Sequence, residues 1–330
     1  MLLVAMPIRG FSYTDDQIVN FGDCYYKVVS GKKLTLSYLG VKSTKTGHLN
    51  LPPTVTDKYG YVLTVIGAEY NPQYRSYGIT SVHLPETMEY IWGYAFSGAA
   101  LTSMNIPKKL ETIRSGAWSS IYSTPRFDVH PQNPKFESDA NGVLYSRGRK
   151  TLYAVPSDVP LQGGKFTVDG QVTYIDAAAF QSVHGLTRIA LPKNLEKVYE
   201  GYPTIVPTSS FTAFEIPAGA PHFKVIDGVL FRDTTLVLYP RGREATNYTV
   251  PNGIKAITNY AISSNSKLES INLNGVTKLV KSSMYSVTKL TSITLPQNLK
   301  PYDDVTGDGM SEGCFEACSN LTEYKVHPQN

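Results

Sequence analysis

The chain has 330 residues, of which 42% are hydrophobic and 18% charged, so its composition excludes an intrinsically disordered chain. The formal net charge is only +4 and no run of Lys and Arg occurs, which argues against a nucleic-acid-binding protein. No stretch reaches the roughly 18 apolar residues of a membrane helix, and three cysteines are too few for a disulfide framework.

The first part of the chain predicts a β-rich cap over residues 1–66. Its apolar start, Met1–Met6, is too short for the core of a signal peptide. The segment has two interpretations, the end of a trimmed signal peptide or a first strand, and we favour the trimmed signal. Three segments then alternate as strands do: Cys24–Val29, Leu34–Leu39 and Tyr61–Ile66. Since the end units of a repeat array must cover an exposed apolar edge, we interpret this region as an N-terminal cap.

A short motif, L-x-x-I-x-L-P, recurs along residues 67–330. It is found at Ile79–Pro85, Leu101–Pro107, Leu186–Pro192, Leu268–Leu273 and Leu290–Pro296. A second element follows it, in which an apolar residue leads to a small residue and a large ring, as in Ala95-Phe96 and Ala117-Trp118. The period is 22 residues, which lies inside the range of about 20–29 residues for leucine-rich repeats.

One such repeat is too small to fold alone. It buries about five apolar side chains, each worth about 1.5–3 kcal/mol, against about 1–2 kcal/mol of backbone entropy for every ordered residue. Each repeat is therefore stable only when it is stacked on its neighbours. The fold predicted is a repeat solenoid: a right-handed coil of short β-strands that form one long sheet, with β-hairpin insertions and little helix.

Two further patterns show a family resemblance. Gly313-Cys-Phe-Glu-Ala-Cys-Ser-Asn-Leu321, with the repeated L-T-S-I-T-L-P string, resembles the BspA-like leucine-rich repeats of bacterial surface proteins of the Treponema and Bacteroides type. Asn133–Tyr145 and Phe223–Phe231 look like the β-hairpin insertions of that family, with Asn-Gly or Asp-Gly ahead of a strand. The resemblance covers about residues 62–330 and implies adhesion to host proteins or to other cells.

The end of the chain repeats an internal segment. Val326-His-Pro-Gln-Asn330 is identical to Val129-His-Pro-Gln-Asn133, where the first hairpin insertion begins. We therefore expect the natural product to continue beyond residue 330.

An acidic insertion offers one candidate metal site. Counted as a calcium loop, it places Asp304, Thr306, Asp308 and Glu312 at positions 1, 3, 5 and 9. The last position, which needs a bidentate acid, is occupied by Phe315, a ring that also fits the repeat core. A plain solvated loop is the simpler interpretation.

The remaining residues of reactive type form no recognisable catalytic set. Cys314 and Cys318 fit a core position better than a zinc site, and we interpret them as buried thiols. The six histidines are scattered, and no nucleophile motif, phosphate loop or H-E-x-x-H sequence is present. We therefore predict that the protein is not an enzyme and uses no cofactor.

Two surfaces are candidates for ligand binding. The first is the strand face, where the residues between buried positions point outward: Ser81, His83, Ser103, Asn105, Arg126, Asp128, Arg188, Glu215, Asn272 and Thr294. A solvated sheet is its simpler interpretation. The second is Tyr70-Asn-Pro-Gln-Tyr-Arg-Ser-Tyr77, which breaks the repeat. It is either a binding loop or a tyrosine-lined junction with the cap, and we favour the junction.

These observations predict a non-catalytic interaction or adhesion module at the cell surface or outside the cell. Its expected partners are protein or glycan ligands, without nucleic acid, without a membrane span and with the chain as a monomer. A structural spacer that presents another domain is the first alternative, and a glycan-active enzyme is the second.

Overall fold

In the computed structural model, residues 12–202, 204–206, 208–297, 299–301, 303–304 and 309–326 are described, and this part of the chain contains strands and turns but no helix. It therefore contains no helix that is long and apolar enough to cross a membrane. Two compact units are formed. The first comprises Met1–Gly148 and Tyr153–Ser157, and the second comprises Arg149–Leu152 and Asp158–Asn330.

The first unit begins with strands that are longer than those of the repeats. They are β1 (Ile18–Phe21), β2 (Cys24–Ser30), β3 (Thr35–Val41), β4 (Gly47–Asn50), β5 (Thr54–Thr56) and β6 (Val62–Ala68). β1, β2 and β3 pair antiparallel, and β3 then pairs parallel with β6. The strands predicted near residues 24, 34 and 61 are confirmed, whereas the domain boundary at residue 66 stays a prediction.

The repeats of the first unit follow. Their strands are β7 (Ile79–His83), β8 (Tyr90–Ile91), β9 (Ser103–Ile106), β10 (Thr112–Ile113) and β11 (Arg126–Val129). Tyr90 pairs with Thr112 and Ser81 with Ser103, both in parallel and both one period apart. The Thr102 hydroxyl likewise donates to the carbonyl of Thr80, 22 residues earlier. The 22-residue period of the sequence is thus the spacing between paired residues of neighbouring repeats.

Both predicted hairpin insertions are present. In the first unit, β12 (Phe136–Ser138) and β13 (Leu144–Ser146) pair antiparallel around a turn that contains Gly142. In the second unit, β20 (Phe223–Ile226) and β21 (Val229–Arg232) are joined by Asp227 and Gly228, with φ of 50° and 75°. Positive φ at both central residues is the type I′ geometry, which explains the Asp-Gly pair at this position.

Within its described residues, the second unit is built from seventeen further strands together with part of β14. They are β14 (Thr151–Ala154, with residues in both units), β15 (Lys165–Thr167), β16 (Tyr174–Ile175), β17 (Arg188–Ala190), β18 (Lys197–Val198), β19 (Ala213–Glu215), β20 (Phe223–Ile226), β21 (Val229–Arg232), β22 (Thr235–Leu238), β23 (Asn247–Thr249), β24 (Ala256–Ile257), β25 (Ile262–Ser263), β26 (Ser270–Asn272), β27 (Lys278–Leu279), β28 (Met284–Tyr285), β29 (Ser292–Leu295), β30 (Gly309–Met310) and β31 (Glu323–Val326). Strands β15 to β31 pair in parallel, apart from the antiparallel pairings of β20 with β21 and of β21 with β22.

The prediction of one long sheet needs correction. The described strands form seven separate sheets, and each unit contains more than one of them. In the first unit, for example, the order β11-β9-β7-β4 makes one sheet, whereas β8 and β10 extend a second sheet that starts with the cap strands. The reason is that a repeat contributes short strands to more than one sheet, so several ladders of paired strands form side by side.

Each unit has its own apolar core, and in the first unit large rings stack from one repeat to the next. In the first unit, Phe96 and Trp118 are almost completely buried, with ring planes 7° apart and centroids 6.4 Å apart. Tyr38 packs on Phe96 from the cap side at 5.8 Å. The predicted core role of the Ala-Phe and Ala-Trp elements is confirmed.

Candidate functional site

The strand-face residues of the first unit lie side by side, as the alternation predicted. Ser103 pairs with Ser81 on one side and with Arg126 on the other, and Asn105 pairs with Asp128. Their side chains are exposed or half-buried. His83, at the end of β7, is exposed and pairs with Asn50 of β4.

Several of these side chains are occupied by contacts within the fold. The Asn105 amide accepts a hydrogen bond from the backbone N–H of Leu84 at 2.7 Å and donates to its carbonyl at 2.9 Å. The Oγ of Ser81 lies 2.8 Å from Nδ1 of His48. Arg126 donates to the carbonyl of Ala140 at 3.1 Å. This face is polar, and some of its donors and acceptors are already hydrogen-bonded within the chain.

The predicted strand-face residues of the second unit occupy two different sheets. Arg188 and Lys165 both contact Glu215, at 3.5 and 3.3 Å, so their charges offset one another. Asn272 and Thr294 pair in β26 and β29 and line a shallow cavity of about 330 Å³. The Asn272 side chain accepts the backbone N–H of Asn274 there. The ligand-binding role of these residues stays a prediction.

The acidic insertion is described only in part. Asp304 and Glu312 are exposed, and Thr306 and Asp308 lie outside the described residues. Within the described part of the chain, no group of three or more acidic, His or Cys residues is arranged to hold a metal ion. The calcium site stays a prediction.

The two neighbouring cysteines are core residues. Cys314 and Cys318 are buried and unpaired, and Cys318 packs with its sulfur 3.6 Å from the carbonyl of Met284. Burial raises the pKa of the Cys314 thiol to about 11, so it stays protonated at neutral pH. The interpretation as buried thiols is confirmed.

The tyrosine-rich segment Tyr70–Tyr77 is fixed firmly to the cap, as the junction interpretation predicted. The N–H of Val41 donates to the carbonyl of Arg75 at 3.0 Å. The hydroxyls of Tyr38 and Ser76 lie 2.9 Å apart in the interior, and burial raises the pKa of Tyr38 well above its usual range. The Arg75 guanidinium donates to Ser97 Oγ at 2.7 Å, one repeat later. The segment is therefore held at both sides.

A glycine makes this close approach possible. Gly40, in β3, has a φ of 154°, and a Cβ there would lie 2.7 Å from the carbonyl carbon of Tyr74. No real Cβ tolerates such a contact with backbone, so only glycine lets the segment lie on β3. The Tyr74 ring then stacks on that of Tyr25, with centroids 4.1 Å apart.

Four tyrosines lie in or beside the turn at residues 94–98: Tyr70, Tyr77, Tyr94 and Tyr122. We call them the tyrosine face. Tyr70 packs against Tyr94 at 5.6 Å, and Tyr77 stacks on Tyr122 at 6.5 Å. Tyr70, Tyr77 and Tyr122 are 42%, 52% and 66% exposed, respectively. The Arg75 guanidinium lies 4.9 Å from the centre of the Tyr70 ring. Large rings, held by each other and still open to solvent, are typical of a recognition surface.

A second group of tyrosines lies in the second unit. Tyr202, Tyr260 and Tyr285 touch one another, with centroids 5.2 to 6.0 Å apart, and Tyr202 is 53% exposed. Arg241 donates there to Ser263, 22 residues later, as Arg75 does to Ser97. A hydrogen bond from an arginine to a serine one period later thus occurs in both units.

Sequence reasoning identified Tyr70–Tyr77 but missed its partners. Tyr94 and Tyr122 stand in separate repeats, and Tyr25 stands in the cap. The period gives no signal for these partners, since Tyr122 follows Tyr94 by 28 residues and not by 22. The tyrosine excess, 23 against 12 Phe, indicated a recognition surface without placing it.

Comparison with known proteins gives one family match. A family model described as "BspA type Leucine rich repeat region" matches in six copies, over residues 70–140, 163–234 and 241–330. No curated protein is detectably similar to the chain.

Comparison with solved structures gives matches to bacterial proteins. The pneumococcal vaccine antigen PcpA is 15% identical, with coverage of 96% of this chain and 95% of that one and a TM-score of 0.49. A leucine-rich cell surface protein from Faecalibacterium prausnitzii is 14% identical, with coverage of 97% and 95% and a TM-score of 0.35. A leucine-rich repeat protein from Eubacterium ventriosum is 14% identical, with coverage of 96% and 85% and a TM-score of 0.45.

Proposed function

The chain belongs to the BspA-type leucine-rich-repeat family, and from this premise we propose that it is a non-catalytic module that binds protein ligands outside a bacterial cell. The family resemblance to bacterial surface proteins supports the location. In each unit, strands of successive repeats pair in parallel, which supports a right-handed solenoid. The faces of such solenoids serve as binding surfaces. The chain acts as a monomer and needs no cofactor in this proposal.

The exposed rings of the tyrosine face are the observation that carries the proposal. Tyrosine is enriched at binding hot spots because it brings a large apolar area and a polar tip at a low cost in side-chain entropy. Tyr77 and Tyr122 are more than half exposed and stack on each other, so their positions are set before a ligand arrives. The ten predicted strand-face residues include no Tyr, Phe or Trp, and Asn105, Arg126 and Arg188 are already engaged within the chain.

Binding to extracellular-matrix proteins tests the proposal. The full chain is passed over immobilised matrix proteins by surface plasmon resonance, beside a variant that carries Tyr77→Ala and Tyr122→Ala. Loss of a hot-spot ring costs at least about 2 kcal/mol, so we expect the affinity to fall by roughly 30-fold or more. No binding by the unaltered chain to any matrix protein or host cell would overturn the proposal.

The matched control is Tyr59→Ala. Tyr59 is 51% exposed, in the same unit but on the loop that Asp57 organises, with Lys58 4.9 Å from its ring centre. This variant removes an equally exposed ring and should bind as the unaltered chain does. An equal loss in both variants would mean that tyrosine content in general, and not the tyrosine face, holds the ligand.

A further inference from the structure

A cavity of about 550 Å³ lies beside the tyrosine face, between the cap and the segment that crosses it. Tyr25, Tyr74 and Tyr77 line it with aromatic rings, and Lys42 and Arg75 line it with positive charge. We infer that this cavity binds a carboxylated sugar of a glycan. The inference goes beyond the proposed function, because it assigns a sugar ligand to a second site of the same module.

The aromatic wall is rigid. Tyr25 belongs to β2 and Tyr74 to the crossing segment, and their rings stack at 4.1 Å with planes 22° apart. The backbone behind Tyr74 is fixed by its close approach to Gly40. Flat aromatic faces carry a partial negative charge, which suits the C–H edges of a pyranose ring. The volume is also in the range of small-ligand sites, about 300–1,000 Å³.

The charge of the cavity selects for an anion. Among the described residues that line it there are two cations and no carboxylate. The Arg75 guanidinium is oriented by Ser97 at 2.7 Å and by the Tyr70 ring at 4.9 Å. Lys42 is half-buried, and neither cation has an ion-pair partner within the part of the chain that the structure describes. Cations that have no ion-pair partner and lie beside aromatic rings form strong charge-assisted hydrogen bonds to a carboxylate.

The polar rim favours a sugar over an acidic peptide. Ser43, Thr44 and Gln73 line the cavity with exposed hydroxyl and amide groups. An acidic side chain carries only a carboxylate for the two cations, whereas a carboxylated pyranose ring also carries hydroxyls for the rim and a C–H face for the aromatic rings. These three kinds of contact, placed around one small cavity, match a ring that carries both hydroxyls and a carboxylate.

A matched pair of sugars tests the inference on the full chain. Methyl β-glucuronide and methyl β-glucoside differ only in the carboxylate, and their affinities are measured by NMR titration. We expect the glucuronide to bind at least tenfold more tightly. Lys42→Gln should reduce that preference to within about twofold. The control is Lys45→Gln, which also removes one positive charge. Lys45 lies three residues from Lys42 but lines a different cavity, so this variant should retain the preference for the glucuronide.

Other outcomes overturn the inference. A glucuronide that does not bind, or a preference that Lys42→Gln leaves unchanged, would remove the sugar from this cavity. Tetraglutamate or inorganic phosphate binding as tightly as the glucuronide would make the cavity a general anion site. The two claims can fail separately. If the unaltered chain binds matrix proteins, the Tyr77 and Tyr122 variant does not, and no sugar binds, then the proposed function stands and only this inference is refuted.

Discussion

Asn133 is the residue whose replacement we expect to be most damaging outside the apolar core. Its side chain is 1% exposed and makes four hydrogen bonds to backbone. The amide donates to the carbonyls of Pro107 and Leu110 at 2.8 and 3.0 Å, and the oxygen accepts the N–H groups of Lys135 and Phe136, both at 2.8 Å. Asn133→Ala removes these four bonds, and of the two carbonyls that of Pro107 keeps the bond that it accepts from the N–H of Leu110 at 3.2 Å. At about 1 kcal/mol for each bond, the free energy of unfolding of the first unit should fall by about 4 kcal/mol.

Tryptophan fluorescence during urea unfolding measures this effect, since Trp92 and Trp118 are the two tryptophans of the chain and both lie in the first unit. Gln132→Ala is the control: Gln132 is adjacent and exposed, and its side chain accepts one hydrogen bond, from Lys108. We expect that variant to lose less than about 0.5 kcal/mol. A loss below about 1.5 kcal/mol for Asn133→Ala would refute the reasoning, because water would then be satisfying the exposed backbone groups.

Three further predictions concern a close approach, a charge and the thiols. Gly40→Ala should lower the free energy of unfolding of the first unit by about 1–3 kcal/mol in the same urea assay. Gly47→Ala, also at positive φ but with nothing within 4 Å of the added Cβ, should cost less. Burial acts to raise the pKa of Asp169, but hydrogen bonds from Gln171 and Arg149 outweigh it and lower that pKa. Its stabilising effect is therefore complete above the ordinary pKa of 3.8 and is lost as the pH falls through the lower folded value. Asp169→Asn should accordingly cost about 0.5–1 kcal/mol at pH 7, after allowance for solvent screening, and much less near pH 2.5, as followed by circular dichroism. The buried thiols Cys24, Cys314 and Cys318 should react slowly with Ellman's reagent at pH 8 and rapidly in denaturant; fast reaction of the native chain would contradict their burial.

The features that repeat were predictable from the sequence. The 22-residue period became the pairing register, and the rings that follow alanine, Phe96 and Trp118, are stacked in the core. The Asp227-Gly228 pair predicted its hairpin because few other residues tolerate positive φ at both central positions. In each case, a local pattern is sufficient because the constraint is local or recurs at a fixed spacing.

The features that depend on distant parts of the chain were not predictable. Several short strands in every repeat produce several sheets, and the alternation in L-x-x-I-x-L indicated only one of them. Asn133 was noticed only for its duplicated neighbourhood. Its role depends on carbonyls of the preceding repeat that reach it from 23 and 26 residues away. Asn265 has the same role in the second unit, with bonds to three carbonyls and to the N–H groups of Lys267 and Leu268.

The tyrosine face shows why specific binding is expected where the repeat breaks. Within the repeats, the side chains of one strand are engaged by the next, as Asn105 is by the backbone of Leu84 and Arg188 by Glu215. A ligand would have to compete with those contacts. The segment at residues 70–77 has no equivalent in the repeats, and its anchors are mostly backbone bonds and buried hydroxyls. Tyr77 is consequently held in place while more than half of its ring stays open to solvent, so a ligand that covers it meets a surface that is already ordered.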